Sequence, residues 1–315
     1  MEKLTMAKKR LVVSIGHKDL GTNLPEQKKA IAKTSEVLAE LVQDGWQLAI
    51  VHSNAPQVGM IHTAMNEFAK THEGYTNAPM SVCSAMSQGY IGYDLQNTLH
   101  STLISRGIYK TVSTVLTQVT VNPYDEAFYT PVKIIGRIMS LEDARIEEEK
   151  GNSIIEIKGR GFRRIVASPN PVAIVEIDAI KALLNADQVV IACGGGGIPV
   201  IEQSGKLKGA SAVIEKDLAA GLLAKEADAD VLLILTAVEQ VSLNYGTPQE
   251  RPVSKMNIAE ARSFLNEGHF EFASMLPKIQ ASVDFVNAGK NRQAIITSLD
   301  KCRKALAGEA GTVIS

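Results

Sequence analysis

Short apolar runs alternate along the chain with longer stretches in which apolar positions recur every three or four residues, the pattern of strands alternating with helices. Leu11-Val-Val-Ser-Ile15 reads as a buried strand ending in Gly16, followed by the polar turn His17–Gly21. From Pro25 onward Ile31, Thr34, Val37, Leu38, Leu41 and Val42 fall at helical spacing, and Asp44-Gly45 supplies a stop. Trp46–Val51 is a second strand, ending in a turn of small and polar residues, His52–Gly59. Ile61, Met65 and Phe68 mark one helical face, and Ile91, Leu95, Leu99 and Leu103 another that closes at Arg106-Gly107; both stripes are expected in the core. Thr111 to Val121 is rich in β-branched residues and ends at the turn Asn122-Pro123.

The alternation lapses from Phe128 to Arg164, which reads as an excursion from the main sheet, its charged run Glu142–Lys150 forming a solvated helix. It resumes with a helix over Ile177–Leu184, a strand at Val189–Ile191, a helix over Asp217–Lys225 and a buried strand Val231–Thr236. Asn257 with Glu260 forms an N-terminal cap before Phe264 and Leu265. Pro277 opens a further helix, with Ile279, Val283 and Val286 on one face and Gly289 at its end, and Ala294–Thr297 and Gly311–Ile314 are the last strands. Such βα units predict right-handed crossovers and a largely parallel sheet.

One strand end stands out. Val189-Val-Ile191 runs through Ala192-Cys193 into four consecutive glycines, Gly194–Gly197, and the apolar run resumes at Ile198-Pro-Val200. Without Cβ atoms the backbone N–H groups can turn toward an anion at close range, and φ > 0 is cheap. A flexible linker would be mixed with Ser and flanked by polar residues, so a turn that contacts a phosphate is favoured over a purely structural one. In open parallel sheets ligands gather beyond the carboxyl ends of the strands, here Gly16–Gly21, His52–Gly59, Gly194–Gly197 and Thr236 onward. None matches GxxxxGK[ST], and no GxGxxG follows a strand. Lysines beside such turns are the complement of a moving phosphoryl group, and Lys133, Lys216 and Lys278 are the candidates. Lys216 lies between Glu215 and Asp217, acids that orient the ammonium or hold Mg²⁺ through water; an exposed, ion-paired helix start is the alternative. Lys278 falls at a helix N-terminus, where a lysine opposes the macrodipole unless an anion is bound nearby.

Composition narrows the partners. With 33 basic against 34 acidic residues the net charge is −1, which provides no long-range field for nucleic acid or an anionic membrane, so small molecules are expected. The 315 residues, 45% hydrophobic and 21% charged, suffice for a large core in one or two closely joined domains. No apolar run approaches the roughly 20 residues that span a bilayer. The basic start Met1–Arg10 lacks a signal-peptide h-region, and a cytoplasmic location is expected. Cys83, Cys193 and Cys302 read as reduced, mostly buried thiols, and the six histidines contain no HExxH, so no structural metal site is expected.

Val51–Gly59, Cys193–Val200, Val213–Asp217, Ser274–Lys278 and Gly311–Ile314 together resemble the motifs of carbamate kinases, members of the amino acid kinase superfamily, in the right order over essentially the whole chain. Gln118–Phe128 and Arg163–Pro169 extend the resemblance. It implies an α/β fold, a three-layer α/β/α sandwich with a central, mostly parallel sheet of about eight strands. It implies one amino acid kinase domain over residues 1–315, with 1–127 and 165–205 as a substrate-side half, 128–164 as a small protruding subdomain and 206–315 as a nucleotide-side half. A homodimer and reversible phosphoryl transfer between ATP and carbamate, run toward ATP from carbamoyl phosphate and ADP with Mg²⁺, are implied as well. By similarity Lys133, Lys216 and Lys278 contact the phosphoryl groups and Asp217 orients the lysines. Thr236, Val238, Tyr245, Pro248 and Met275 border the nucleotide with Lys216 and Lys278. Gly16, His17, Lys18, Ser53, Asn54 and Ala55 hold the substrate with Gly194, Gly195, Gly196 and Gly197.

The chain departs from the family in its turns. Gly16-His17-Lys18 stands where the family has Gly-Gly-Asn, and His52-Ser-Asn-Ala55 where it has His-Gly-Asn-Gly. Ser53 and Ala55 are thus expected to add a Cβ where φ > 0 is needed, at about 1 kcal/mol or more each. Lys133 lacks the rigid proline after it, Glu215 replaces Asp, and Ala273 replaces Gly. Two readings follow: a carbamate kinase-like phosphotransferase, or a paralogue that binds nucleotide or carbamoyl phosphate without turnover, as a sensor or a subunit of a larger assembly.

Overall fold

The computed structural model describes residues 8–272 and 274–315, so Met1–Ala7 of the basic start and the glycine replacement at Ala273 lie outside the described residues. Its centre is an eight-stranded sheet in the order Lys255–Met256, Thr312–Ile314, Gln293–Thr297, Val231–Leu235, Arg10–Ile15, Gln47–His52, Val189–Ile191, Val112–Thr114. Every neighbouring pair is parallel except Gln293–Thr297 with Thr312–Ile314. The strands alternate in which face they present. Leu11, Val13, Ile15, Leu48 and Ile50 pack into one apolar layer with Leu38 and Leu41 of helix Leu24–Gln43 and with Ile91, Leu95, Leu99 and Leu103 of helix Met80–Ser105. Val12, Ala49, Val51 and Val190 face the other layer, built on helices Lys216–Glu226 and Leu276–Asn287. Burying a Leu or Ile side chain fully is worth about 1.5–3 kcal/mol, so the two layers clamp the sheet between them.

Strands Gln47–His52, Arg10–Ile15 and Val231–Leu235 lie side by side, with Ile15 opposite His52 and Ser14 opposite Ile234. Their carboxyl ends therefore release Ser53, Gly16 and Thr236 along one edge of the sheet, where ligands collect in folds of this kind.

Residues 128–164 leave the main sheet as expected. Lys133–Met139, Gly161–Val166 and Ser153–Ile157 form a separate antiparallel sheet, and the charged run is helix Leu141–Glu149, capped by Ser140. Three local expectations are corrected. His52–Gly59 is not a turn throughout: helix Ala55–Thr71 begins directly after Asn54, whose side chain does not cap it, with Pro56 in its first turn where its missing N–H costs nothing. In that helix Gln57, Val58, Gly59 and Ile61 are buried, but Met65 and Phe68 are 37% and 46% exposed, because only its first turns reach the body of the protein. Phe68 instead stacks on His72, with ring centroids 3.9 Å apart. Thr111–Val121 divides into Val112–Thr114 in the main sheet and Gln118–Val121 in a second sheet, where it pairs in parallel with Ile198–Gln203. The break falls where Thr117 turns its hydroxyl inward to accept from Cys193 N–H at 3.0 Å.

Candidate active site

Helix Lys216–Glu226 begins at the edge just described, and its first residues build an ionic centre. Asp217 Oδ1 accepts from Lys216 Nζ at 2.5 Å and from Ser14 Oγ at 2.7 Å, and Asp217 Oδ2 accepts from Lys278 Nζ at 2.9 Å. Lys216 Nζ also donates to Ser14 Oγ at 2.7 Å. Two ammonium groups thus share one carboxylate, leaving one positive charge uncompensated. Burial alone would raise the Asp217 carboxyl; the charges and hydrogen bonds of Lys216 and Lys278 overcome it and hold the group ionised, well below the usual carboxylate range. Lys216 is pushed down by its own burial, with Asp217 opposing and Lys278 adding to the shift. Ser14 escaped the sequence reading. Its signal is a lone hydroxyl in Leu11-Val-Val-Ser-Ile15, on the face shared with Val12.

Lys133, the first residue of its subdomain strand, donates to Glu215, the N-cap of the Lys216 helix. Both acids that flank Lys216 therefore orient ammonium groups. Lys133 does not line the cleft that Lys216 and Lys278 face.

That cleft has a volume of about 450 Å³. Gly16, His17, Lys18 and Ser53 form one wall, and Thr236, Val238, Tyr245 and Met275 the other, with Lys216 and Lys278 between them. Pro248, expected here, is not among the lining residues, whereas Asp19, Gln240 and Phe270 are. The Asp19 carboxylate makes no hydrogen bond with the described residues, and burial raises its pKa against the opposing charges of Lys33, Lys216 and Lys18. Burial, then Lys18, Lys216 and Lys278, push the His17 imidazole down toward its neutral form. His17 also lines an open groove of about 660 Å³ between Ala55, Pro56 and Met60 on one side and Ile134–Arg137 on the other. The backbone penalty expected at the altered turns does not arise. Ser53 and Ala55 are not among the residues with positive φ, Ala55 opens a helix, and Gly16 sits at φ −72°.

The tetraglycine is tighter than expected. Cys193, Gly195, Gly196 and Gly197 have φ of 51°, 66°, 96° and 92°. A Cβ would strike the His52 ring from Gly194, the Asn54 amide from Gly195, the Ile214 carbonyl from Gly196 and Val119 from Gly197. The N–H groups of Gly196 and Gly197 bond to the carbonyls of Cys193 and Gly194, so not all four amides are open to an anion. None of the four lines the 450 Å³ cleft. Asn54 is buried and donates to Ser87 Oγ at 2.7 Å, so its side chain braces the bend.

His52 is fully buried, bonds through Nδ1 to the Ser53 carbonyl at 3.0 Å, and leaves Nε2 against Gly194 with no partner among the described residues. Burial lowers its pKa from 6.5 to about 4. The unfolded chain therefore takes up this proton first, and stability falls as pH drops from 6.5 toward 4, by about 3 kcal/mol in total. Urea unfolding at pH 7 and pH 4.5 should show this loss in the native chain and a smaller one in His52→Gln. An equal loss in both would place the acid sensitivity elsewhere.

An α/β/α sandwich with lysines and carboxylates gathered at the carboxyl edge of its sheet is the arrangement of a phosphotransferase, and residues 9–298 match the family described as the amino acid kinase family. The chain belongs to that family. Within it, the relatives are carbamate kinases. The chain is 47% identical over 306 residues to the carbamate kinase-like protein YqeA of Escherichia coli strain K12, covering 97% of this chain and 99% of that one. It is 45% identical over 289 residues to the carbamate kinase of Clostridium perfringens, covering 91% and 92%. The carbamate kinase from Giardia lamblia bound to AMP-PNP superimposes with a TM-score of 0.91 at 34% identity, covering 98% of each chain.

Proposed function

We propose that this chain transfers a phosphoryl group between ATP and carbamate, making ATP from carbamoyl phosphate and ADP. The observation that carries this reading is the Lys216–Asp217–Lys278 centre at the rim of a nucleotide-sized cleft, in a chain similar to carbamate kinases over its whole length. The terminal oxygen of ADP attacks phosphorus as the bond to the carbamate oxygen breaks, and the negative charge on the moving group is greatest between the two. Lys216 and Lys278, held in place beforehand by Asp217, stabilise that charge without having to reorganise. Lys133, on the subdomain, is the third contact. Thr236, Val238, Tyr245 and Met275 border the nucleotide; Gly16, His17, Lys18, Ser53 and the groove beyond His17 receive carbamoyl phosphate. Asp19 is the residue that would hold Mg²⁺ carried on the nucleotide phosphates, the ion supplying charge neutralisation on their oxygens.

The exposed apolar stripe Val82, Met86 and Tyr93 on helix Met80–Ser105 supports a homodimer. Sedimentation of a monomer at micromolar concentration would remove that part of the proposal.

The side chains at His17 and Lys18, which replace smaller residues of the family, favour a second reading: a paralogue that binds nucleotide without turnover. A coupled assay of ATP formation from ADP and carbamoyl phosphate, with nucleotide affinity measured on the same sample, separates the two. ATP formation is expected. Tight nucleotide binding with no turnover, restored by His17→Gly with Lys18→Asn, would establish the second reading instead.

A further inference from the structure

A second cavity, of about 560 Å³, shares no lining residue with the nucleotide cleft and meets the groove beyond His17 at Thr63, Ile135, Gly136 and Arg137. It lies between helix Ala55–Thr71, the start of helix Met80–Ser105 and the subdomain helix Leu141–Glu149. We propose that it binds a small organic acid, whose carboxylate is held by Arg164 together with the first amides and the Ser81 hydroxyl of helix Met80–Ser105.

The charges of the cavity point to an anion. Its three carboxylates each carry a cation of their own: Glu67 with Lys70 at 2.8 Å, Asp143 with Arg137 at 3.0 Å and Glu147 with Lys150 at 2.6 Å. Arg164 is left over. Its Nη1 lies 3.0 Å from His62 Nε2, and its Nε is buried with no acceptor among the described residues. Glu147, the acid whose field reaches it, is bonded to Lys150 and Asn152 instead. His62 does not balance the charge, since its Nε2 faces two donors, Arg164 Nη1 and Asn66 Nδ2, and the ring must be neutral to accept from them.

The helix adds a second, independent donor set. Met80–Ser105 is 26 residues long, its N-cap is Pro79, which has no side-chain cap, and its first turn contains no acidic residue. Ser81 is only 9% exposed and its hydroxyl makes no hydrogen bond with the described residues. Helix amides and the Arg164 guanidinium lining one space suit a carboxylate, whose charge the guanidinium offsets while the amides and the Ser81 hydroxyl donate to it. Met80, Ile135, Met139 and Ile146 give the same space apolar walls, which a hydrocarbon backbone would cover and a bare inorganic anion would not.

Calorimetric titration of the full chain, saturated with AMP-PNP so that the nucleotide cleft is closed to competitors, tests this with succinate, citrate and inorganic phosphate. A di- or tricarboxylate should bind with a Kd of about 1 mM or tighter, more tightly than phosphate. Arg164→Gln should weaken it at least about tenfold and Ser81→Ala at least about threefold. Unchanged affinity in both variants, no binding by the native chain, or phosphate binding as tightly as succinate would each overturn the proposal, as would loss of binding on AMP-PNP saturation. If Arg164→Gln does not fold, Ser81→Ala decides alone. The groove beyond His17 stays open under AMP-PNP, so the Arg164 and Ser81 variants, which line neither it nor the nucleotide cleft, decide where the acid binds, and no turnover is read.

Discussion

Lys216→Met should lower ATP formation from carbamoyl phosphate and ADP by about a thousandfold while leaving the chain folded. Deleting one donor aimed at charge that develops in the transition state costs on the order of 10²–10³ in rate, and stabilising charges at phosphoryl transfer can be worth more. Among the described residues Lys216 and Lys278 are the cations fixed on Asp217, and Lys278 cannot shift to replace Lys216 without leaving its own hydrogen bonds to Asp217 Oδ2 and the Ser274 carbonyl. Folding should survive because Asp217 retains Lys278 and Ser14. The loss should appear in kcat with a smaller change in KM, the mark of an interaction made in the transition state. A variant within tenfold of the native rate would remove Lys216 from the chemistry.

Asp217→Asn should have the larger effect on stability. Removing the carboxylate leaves two ammonium groups facing each other in a buried site, and breaking a buried pair in this way costs about 3–5 kcal/mol. The change should register as a lower urea midpoint with an unchanged m-value. Turnover should fall as well, since neither lysine is then held where the phosphoryl group passes. Saturating ATP should recover more stability in the variant than in the native protein, because its phosphates supply the missing negative charge and bind only the folded state. Equal stabilisation of both proteins by ATP would mean that the nucleotide does not reach this centre.

Much of the frame was legible in the chain. Uninterrupted β-branched runs marked the central strands, and the Asn257–Glu260 cap is present as a full capping box. The excursion over 128–164 was visible because the alternation lapsed there. What the sequence could not show was which amides and side chains were already occupied. Tetraglycine reads as open backbone, yet the bend is shaped largely by what it touches, with His52 and Asn54 packed where side chains would otherwise stand. Ser53 and Ala55 read as strain because glycine is usually kept for positive φ, but here a helix begins at Ala55 and ordinary backbone suffices. Lys133 was expected to be oriented by Asp217 with the other two lysines, but its partner is Glu215, a distinction set by side-chain reach. Ser14 was hidden because one hydroxyl in an apolar strand carries no period of its own. Met65 and Phe68 kept helical spacing on a helix whose far end leaves the body of the protein, and spacing alone does not reveal where a helix stops being covered.

The strands that release Gly16, Ser53 and Thr236 are bonded edge to edge in a single parallel ladder, with rungs from Leu11–Val231 to Ile15–His52. The two banks of the nucleotide cleft are therefore rooted about 5 Å apart in the same rigid fabric, and they cannot part like the jaws of a two-domain enzyme. Whatever gating accompanies a catalytic cycle falls to pieces hung outside that fabric, and the lobe carrying Lys133 is one of them.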